Sequence, residues 1–87
     1  MSRSTEEIQT WIVDRVSGLT GIARGEIDPR QPILHYGLDS VTLVVFASEV
    51  EAWLGYQFRE NPFDAHPTIE ALSRFLAAQT AEKSATN

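Results

Sequence analysis

The apolar residues of the chain fall into three stretches with helical periodicity. Apolar positions that recur at intervals of three and four form one face of an amphipathic helix. The first stretch begins at a capping-box pair, Ser4 and Glu7, and runs to about Ser17. The second covers residues 40–54, and the third begins after Thr68. The predicted core faces comprise Ile8, Trp11, Ile12, Val16 and Leu19 in the first helix, Leu43, Phe46, Ala47, Val50 and Leu54 in the second, and Ile69, Leu72, Phe75 and Leu76 in the third.

Glycine and proline interrupt residues 18–39, which opposes a long regular element there. The same segment is too apolar for a free linker, so it is predicted to be an ordered loop packed onto the helices, with one helical turn around residues 33–36. Its apolar members are Ile22, Ile27, Ile33, Leu34, Tyr36 and Leu38. A short helical turn is predicted to open at Pro62 and to run through Ala65.

The predicted fold is therefore all-α. It is a small four-helix bundle of three longer helices and one short helix, with a long ordered loop between the first and second helices. Residues 1–87 are expected to form a single domain with an ordered core at about 5–79. Fraying is expected at residues 1–3 and from Gln79 onward, where the composition turns small and polar.

Composition and charge exclude several classes of function. The chain has no cysteine, which rules out a disulfide framework, a thiolate metal site and a cysteine nucleophile. The formal net charge is −5 and the basic residues are scattered, which argues against nucleic-acid binding and suits basic partner proteins. No apolar run is long enough to span a bilayer or to form a signal core, so we expect a cytoplasmic protein, and we expect a monomer.

One serine occupies the start of the second predicted helix. Asp39 is a favourable N-cap, and Gly37 can adopt the positive φ of a tight turn just before it. Ser40 then lies in the first turn, where free N–H groups and the helix dipole favour negative charge. Its hydroxyl is well placed to carry a phosphate. From position alone, simple capping is the more common role of such a serine.

The run Gly37, Leu38, Asp39 and Ser40, followed by an apolar residue, resembles the attachment site of acyl carrier proteins of the polyketide and fatty-acid synthase type. Residues 51–55 look like the end of that family's second helix. Residues 63–69, with Leu72 and Leu76 after them, look like its short third helix and its last helix. The resemblance covers residues 8–76. One departure is Val41, where the family more often has Leu or Met, and it bears on partner preference.

The resemblance implies that Ser40 carries a 4'-phosphopantetheine arm, which a phosphopantetheinyl transferase moves from coenzyme A. It implies a non-catalytic carrier whose partners are a ketosynthase, an acyltransferase or other synthase enzymes. Leu38 and Val41 flank the site and are the next candidates for contact with the transferase and partners.

The side of the second helix that faces away from the predicted core carries several apolar residues, which predicts a docking surface. The alternative is that exposed valines are merely tolerated or that the loop covers them. Under the resemblance, carboxylates at the rim would guide the approach of a partner and the apolar centre would supply contact. The predicted docking residues are Val41, Val44, Val45, Ser48, Glu49, Glu51 and Ala52.

Other chemistries find little support, and no catalytic or metal-binding residue is predicted. Thr42 breaks the Gly-x-Ser-x-Gly pattern of a hydrolase nucleophile. Of the two histidines, His66 is predicted to be a turn or capping residue and His35 a loop residue near the site. Trp11 and Trp53 are at helix-periodic positions, which favours packing in the core or at its edge.

Two alternatives to an acyl carrier remain. One is an aminoacyl or peptidyl carrier of a peptide synthetase, although such carriers usually have Gly-Gly-His-Ser where this chain has Asp39 before the serine. The other is an unmodified helical adaptor that binds a partner through its second helix.

Overall fold

Four α-helices account for most of the described chain. A computed structural model describes residues 3–59 and 61–85. The helices are α1 (Thr5–Thr20), α2 (Ser40–Leu54), α3 (Pro62–Ala65) and α4 (Ile69–Ala85). No strand forms within those residues, where the β-type pairing is an isolated bridge between Pro32 and Thr68. The predicted all-α bundle of three longer helices and one short helix is confirmed.

Side chains satisfy the free N–H groups at the helix starts. Ser4 Oγ accepts from the Glu7 N–H at 3.1 Å, and the Glu7 carboxylate accepts from the Ser4 N–H at 3.4 Å, which is the predicted capping box. Thr68 Oγ1 accepts from the Ala71 N–H at 3.0 Å and caps α4. Short-range sequence signals therefore place these two starts correctly.

Two helix ends lie beyond their predicted positions. The predicted end of the first helix at about Ser17 is wrong, because α1 passes through Gly18 and ends at Thr20, before Gly21 with a φ of 79°. A glycine within a helix costs about 1 kcal/mol, a cost that the packing of Leu19 against the core can offset. At the other end of the chain, the backbone of α4 stays helical to Ala85, past the expected start of fraying at Gln79.

The core lies where α1, α2 and α4 face one another. Each helix contributes side chains at the predicted spacing, and α1 packs mainly against α4. The segment between α1 and α2 adds three buried side chains, so it completes the core on the side that leads to α2. The fully or nearly fully buried residues are Ile8, Ile12, Val16, Ile27, Ile33, Leu38, Phe46, Val50, Ile69, Leu72 and Leu76.

Hydrogen bonds fasten this segment at several points. It contains two 3-10 turns, Arg24–Glu26 and Ile33–Tyr36, the second at the predicted place. Tyr36 Oη accepts from the Asp28 N–H at 2.6 Å and donates to the Asp28 carbonyl at 2.9 Å. The Ile33 N–H donates to the Pro67 carbonyl at 2.7 Å. These bonds fix the approach of the chain to Ser40.

Aromatic stacking joins the middle of α1 to the end of α2. The rings of Trp11 and Trp53 lie 4.4 Å apart and within 6° of parallel, and the Arg3 guanidinium lies 4.5 Å from the Trp53 ring centre. Both tryptophans are half-buried, which confirms packing at the core edge. None of the helices in the described ranges has the length and apolar content that crossing a membrane requires.

Candidate attachment site on α2

Ser40 is the first residue of α2, and the three residues before it turn the chain into the helix. Gly37 has a φ of 77°, a conformation that favours glycine, and it ends the 3-10 turn. Leu38 is only 6% exposed and anchors the turn in the core. Asp39 is extended, and its Oδ1 accepts from the Thr42 N–H at 2.8 Å. The sequence therefore places Ser40 on the surface at the capped start of a helix.

The surroundings of Ser40 fit a phosphate ester. Its side chain is exposed, and no hydrogen bond joins its hydroxyl to another described residue. The first N–H groups of a helix lack intrahelical partners, and the helix dipole stabilises negative charge beside them. Asp39 caps the helix. The alternative that Ser40 serves only as the helix cap is therefore wrong. The hydroxyl is thus available for chemistry.

The hydrogen bond from the Thr42 N–H lowers the pKa of Asp39, with a smaller contribution from the Thr42 side chain. The Asp39 carboxylate is therefore ionised at neutral pH and keeps its cap. This arrangement holds the first turn of α2 in place beside the Ser40 hydroxyl.

An open cleft of about 400 Å³ adjoins Ser40 between α2 and α3. Its lining is mainly apolar, with a few polar groups at the edges. The lining residues are Ser40, Leu43, Val44, Ala47, Ser48, Glu51, Phe58, Asn61, Pro62 and Phe63. A slender group attached to Ser40 has room to lie along α2.

The predicted outward face of α2 is open to solvent. Val41 is 73% exposed, Val44 65% and Val45 45%. Ser48 and Ala52 lie exposed on the same face. The loop does not cover the valines, which removes one of the alternatives considered for them.

Two leucines before the site lie differently from their predicted places. The prediction that Leu38 contacts the transferase and partners is wrong, because its side chain is buried in the core. Leu34 is one of the apolar residues on which the prediction of a packed segment depended, and its side chain is 59% exposed. A 3-10 helix has about three residues per turn, so neighbouring side chains point in different directions, and here Ile33 is buried while Leu34 faces outward. A turn of four residues is too short for the sequence to show which of its side chains face the core.

The rim carboxylates have partners within the chain. Arg15 Nε and Nη2 donate to Glu49 Oε1 and Oε2 at 3.0 and 2.6 Å. Arg15 lies at the edge of the core with its charge paired. Glu51 Oε2 accepts from the Phe58 N–H at 2.8 Å and so holds the chain after α2 against the helix.

Both histidines make aromatic contacts. The His35 ring meets Tyr36 edge-on, with centroids 5.4 Å apart. The His66 ring stacks on Phe75 at 4.2 Å, and the backbone N–H of His66 donates to the Pro62 carbonyl at the end of α3. His66 is partly buried beside Phe75, whereas the His35 side chain remains exposed.

Residues 10–76 match the family model described as "Phosphopantetheine attachment site". The acyl carrier protein TtuC of Teredinibacter turnerae is 28% identical over 76 residues, which are 87% of each chain. A phenolphthiocerol/phthiocerol polyketide synthase polypeptide of Mycobacterium tuberculosis is 32% identical over 72 residues, which cover 83% of this chain and 4% of that polypeptide.

Solved carrier structures share the fold. The solution structure of acyl carrier protein LipD from Actinoplanes friuliensis matches with a TM-score of 0.74 and 34% identity, over 92% of this chain and 94% of LipD. A free-standing peptidyl carrier protein from Acinetobacter baumannii matches with a TM-score of 0.80 and 24% identity, over 87% of this chain and 95% of that protein. The second match shows the fold alone.

Proposed function

Because this chain belongs to the phosphopantetheine attachment-site family of carrier proteins, we propose that it is an acyl carrier of a polyketide-type synthase, with its arm on Ser40. The family's members are non-catalytic carriers that hold 4'-phosphopantetheine. The observation that carries the assignment to Ser40 is its exposed hydroxyl at the start of α2, which Asp39 leaves free by capping the helix itself.

The residues around Ser40 support the carrier function by holding its hydroxyl in position at the surface. The fastened segment before α2 and the buried Leu38 hold the turn, and Asp39 holds the first helical turn. Ser40 presents its oxygen to a transferase that brings coenzyme A, and the helix start stabilises the phosphodiester that results. When bound, the arm supplies a terminal thiol that holds an acyl group as a thioester. A flexible tether of this kind raises the local concentration of the cargo at each enzyme that docks.

An acyl cargo has better support than an aminoacyl or peptidyl cargo. Asp39 precedes Ser40, where peptidyl carriers usually have histidine. TtuC and LipD are both named acyl carrier proteins. The mycobacterial polyketide synthase supports a polyketide system over a fatty-acid system. The Acinetobacter peptidyl carrier shares the fold, which both classes of carrier adopt.

A loading experiment tests the class of cargo. The chain with its arm attached is offered to an acyltransferase of a polyketide synthase with malonyl-coenzyme A, and separately to an adenylation domain with its amino acid and ATP. Intact mass reports which group is gained. The proposal expects an acyl gain that is lost in Ser40→Ala, and an aminoacyl gain without an acyl gain would contradict it.

We also propose where partners dock on the carrier, where it is located and in what oligomeric state it works. The exposed valines of α2 form the surface on which the transferase and the synthase enzymes dock, and the protein works as a cytoplasmic monomer. Sedimentation of the purified chain at several concentrations tests the monomer, since a mass that rises with concentration would contradict it.

A further inference from the structure

We propose that partners dock on α2 through an apolar, uncharged face, so that the contact on the partner is a patch of apolar side chains and not a basic patch. This inference rests on the proposed carrier function and specifies its partner surface. It replaces the expectation that carboxylates at the rim guide the approach.

Exposed apolar side chains concentrate around the attachment site. Among the described residues, the large hydrophobic side chains that remain exposed are Leu34, Val41, Val44 and Val45. All four lie within six positions of Ser40 in the sequence. Val41, Val44, Val45 and Ser48 share one helix face, because they are three, four and seven positions apart. An apolar patch confined to the surroundings of the reactive residue is suited to contact with a protein.

The carboxylates of α2 and of its N-cap residue all accept hydrogen bonds from other groups of the same chain. Asp39 accepts from the Thr42 N–H, Glu49 accepts from Nε and Nη2 of Arg15, and Glu51 accepts from the Phe58 N–H. No lysine or arginine occurs in α2. The Arg15 guanidinium cancels the charge of Glu49 at short range, and a partner that recruited either glutamate would first have to break an internal bond.

Contact with such a face depends on apolar burial, which salt does not screen. The net charge of −5 leaves a general attraction to basic proteins that acts over distance and does not orient the docked complex. The valines therefore set how tightly a partner binds, and salt has only a small effect.

The test measures kcat/KM for attachment of the arm to the full chain by a broad-specificity phosphopantetheinyl transferase, at saturating coenzyme A and magnesium. Rates are compared between about 50 and about 500 mM NaCl, a range over which the screening length falls to a few ångström. One variant is Val44→Thr, which keeps the shape and β-branching of valine but replaces a methyl group with a hydroxyl. The other is the double variant Arg15→Gln with Glu49→Gln, which removes the ion pair at constant net charge. Ala78→Ser, on an exposed part of α4, is the control.

We expect the native rate constant to change by less than about threefold across the salt range. Val44→Thr should lower kcat/KM about fivefold, mainly through KM, because a hydroxyl must be desolvated in the contact. Ala78→Ser should stay within about twofold of the native chain, and the double variant should lose less than Val44→Thr at equal helicity. A fall of about tenfold or more with salt, or a larger loss in the double variant than in Val44→Thr, would overturn the inference. A chain that gains no arm at all contradicts the carrier function itself, so the two failures are distinct.

Discussion

Arg15 of α1 and Glu49 of α2 form a two-point ion pair, with N–O distances of 3.0 and 2.6 Å. The hydrogen bond to Glu49, and then the charge of Glu49, raise the pKa of Arg15. A planar guanidinium that meets a carboxylate at two points fixes the relative rotation of the two helices. The pair thus joins the packing of the bundle to the orientation of the helix that bears Ser40.

Glu49→Ala should lower the melting temperature more than the double variant Arg15→Gln with Glu49→Gln, because only the single substitution leaves Arg15 unpaired at the α1–α2 contact. The loss should shrink in high salt, since both side chains are partly exposed. Thermal unfolding followed by circular dichroism checks this. Equal decreases in melting temperature in the two variants, unchanged by salt, would show that the Arg15–Glu49 ion pair does not stabilise the α1–α2 contact.

Phe46 and Val44 offer a contrast between the two faces of α2. Phe46 is fully buried and its ring lies 6.0 Å from that of Phe63, so Phe46→Ala should cost about 3–5 kcal/mol of unfolding free energy. Val44→Ala, on the exposed face, should stay within about 0.5 kcal/mol. Urea denaturation measures both. A large loss at Val44 would mean that this face is packed, contrary to the docking proposal.

Tyr36→Phe should loosen the segment that leads to Ser40. The substitution removes both hydrogen bonds to Asp28 while keeping the ring, so we expect a loss of about 1–3 kcal/mol. Faster amide hydrogen exchange should follow at residues 28–40 and not in α4. Unchanged exchange in that segment would show that the tyrosine hydroxyl does not hold it.

The Asp39 cap predicts a dependence of stability on pH. Its pKa is lower in the folded chain than the ordinary value of 3.8. Its contribution is therefore fully present above that value and is lost as the pH falls through the lower, folded value. Asp28 adds to the loss in the same direction, because the Arg30 N–H lowers its pKa.

Asp39→Asn isolates the contribution of the cap, because asparagine caps a helix about as well but carries no charge. Urea midpoints measured from pH 6 down to about pH 2.5 should fall less steeply in this variant than in the native chain. Identical slopes would mean that the carboxylate does not hold its charge-dependent bond to Thr42.

The elements that the sequence predicts best are those with local signals. The capping box at Ser4, the caps at Asp39 and Thr68 and the helical spacing of the core depend on neighbours in sequence, and the structure has each of them. The position of Ser40 at the start of α2 follows from the same signals.

The misplaced features depend on tertiary contacts. The extension of α1 past Gly18 depends on packing against the core, and the bonds of Glu49 and Glu51 depend on partners elsewhere in the chain. Helical spacing locates a glutamate on a face but cannot reveal that an arginine 34 positions away will bind it. The exposure of Leu34 escapes sequence reasoning for the same kind of reason, since the rotation of a short 3-10 turn is set by what it packs on.

Attachment of the arm to Ser40 is the central claim, and intact mass tests it most directly. The native chain and Ser40→Ala are incubated with coenzyme A, magnesium and a broad-specificity phosphopantetheinyl transferase, with a known carrier as the control for activity. We expect a gain of one phosphopantetheinyl group in the native chain and none in Ser40→Ala. No gain in the folded native chain, or an equal gain in both chains, would contradict it.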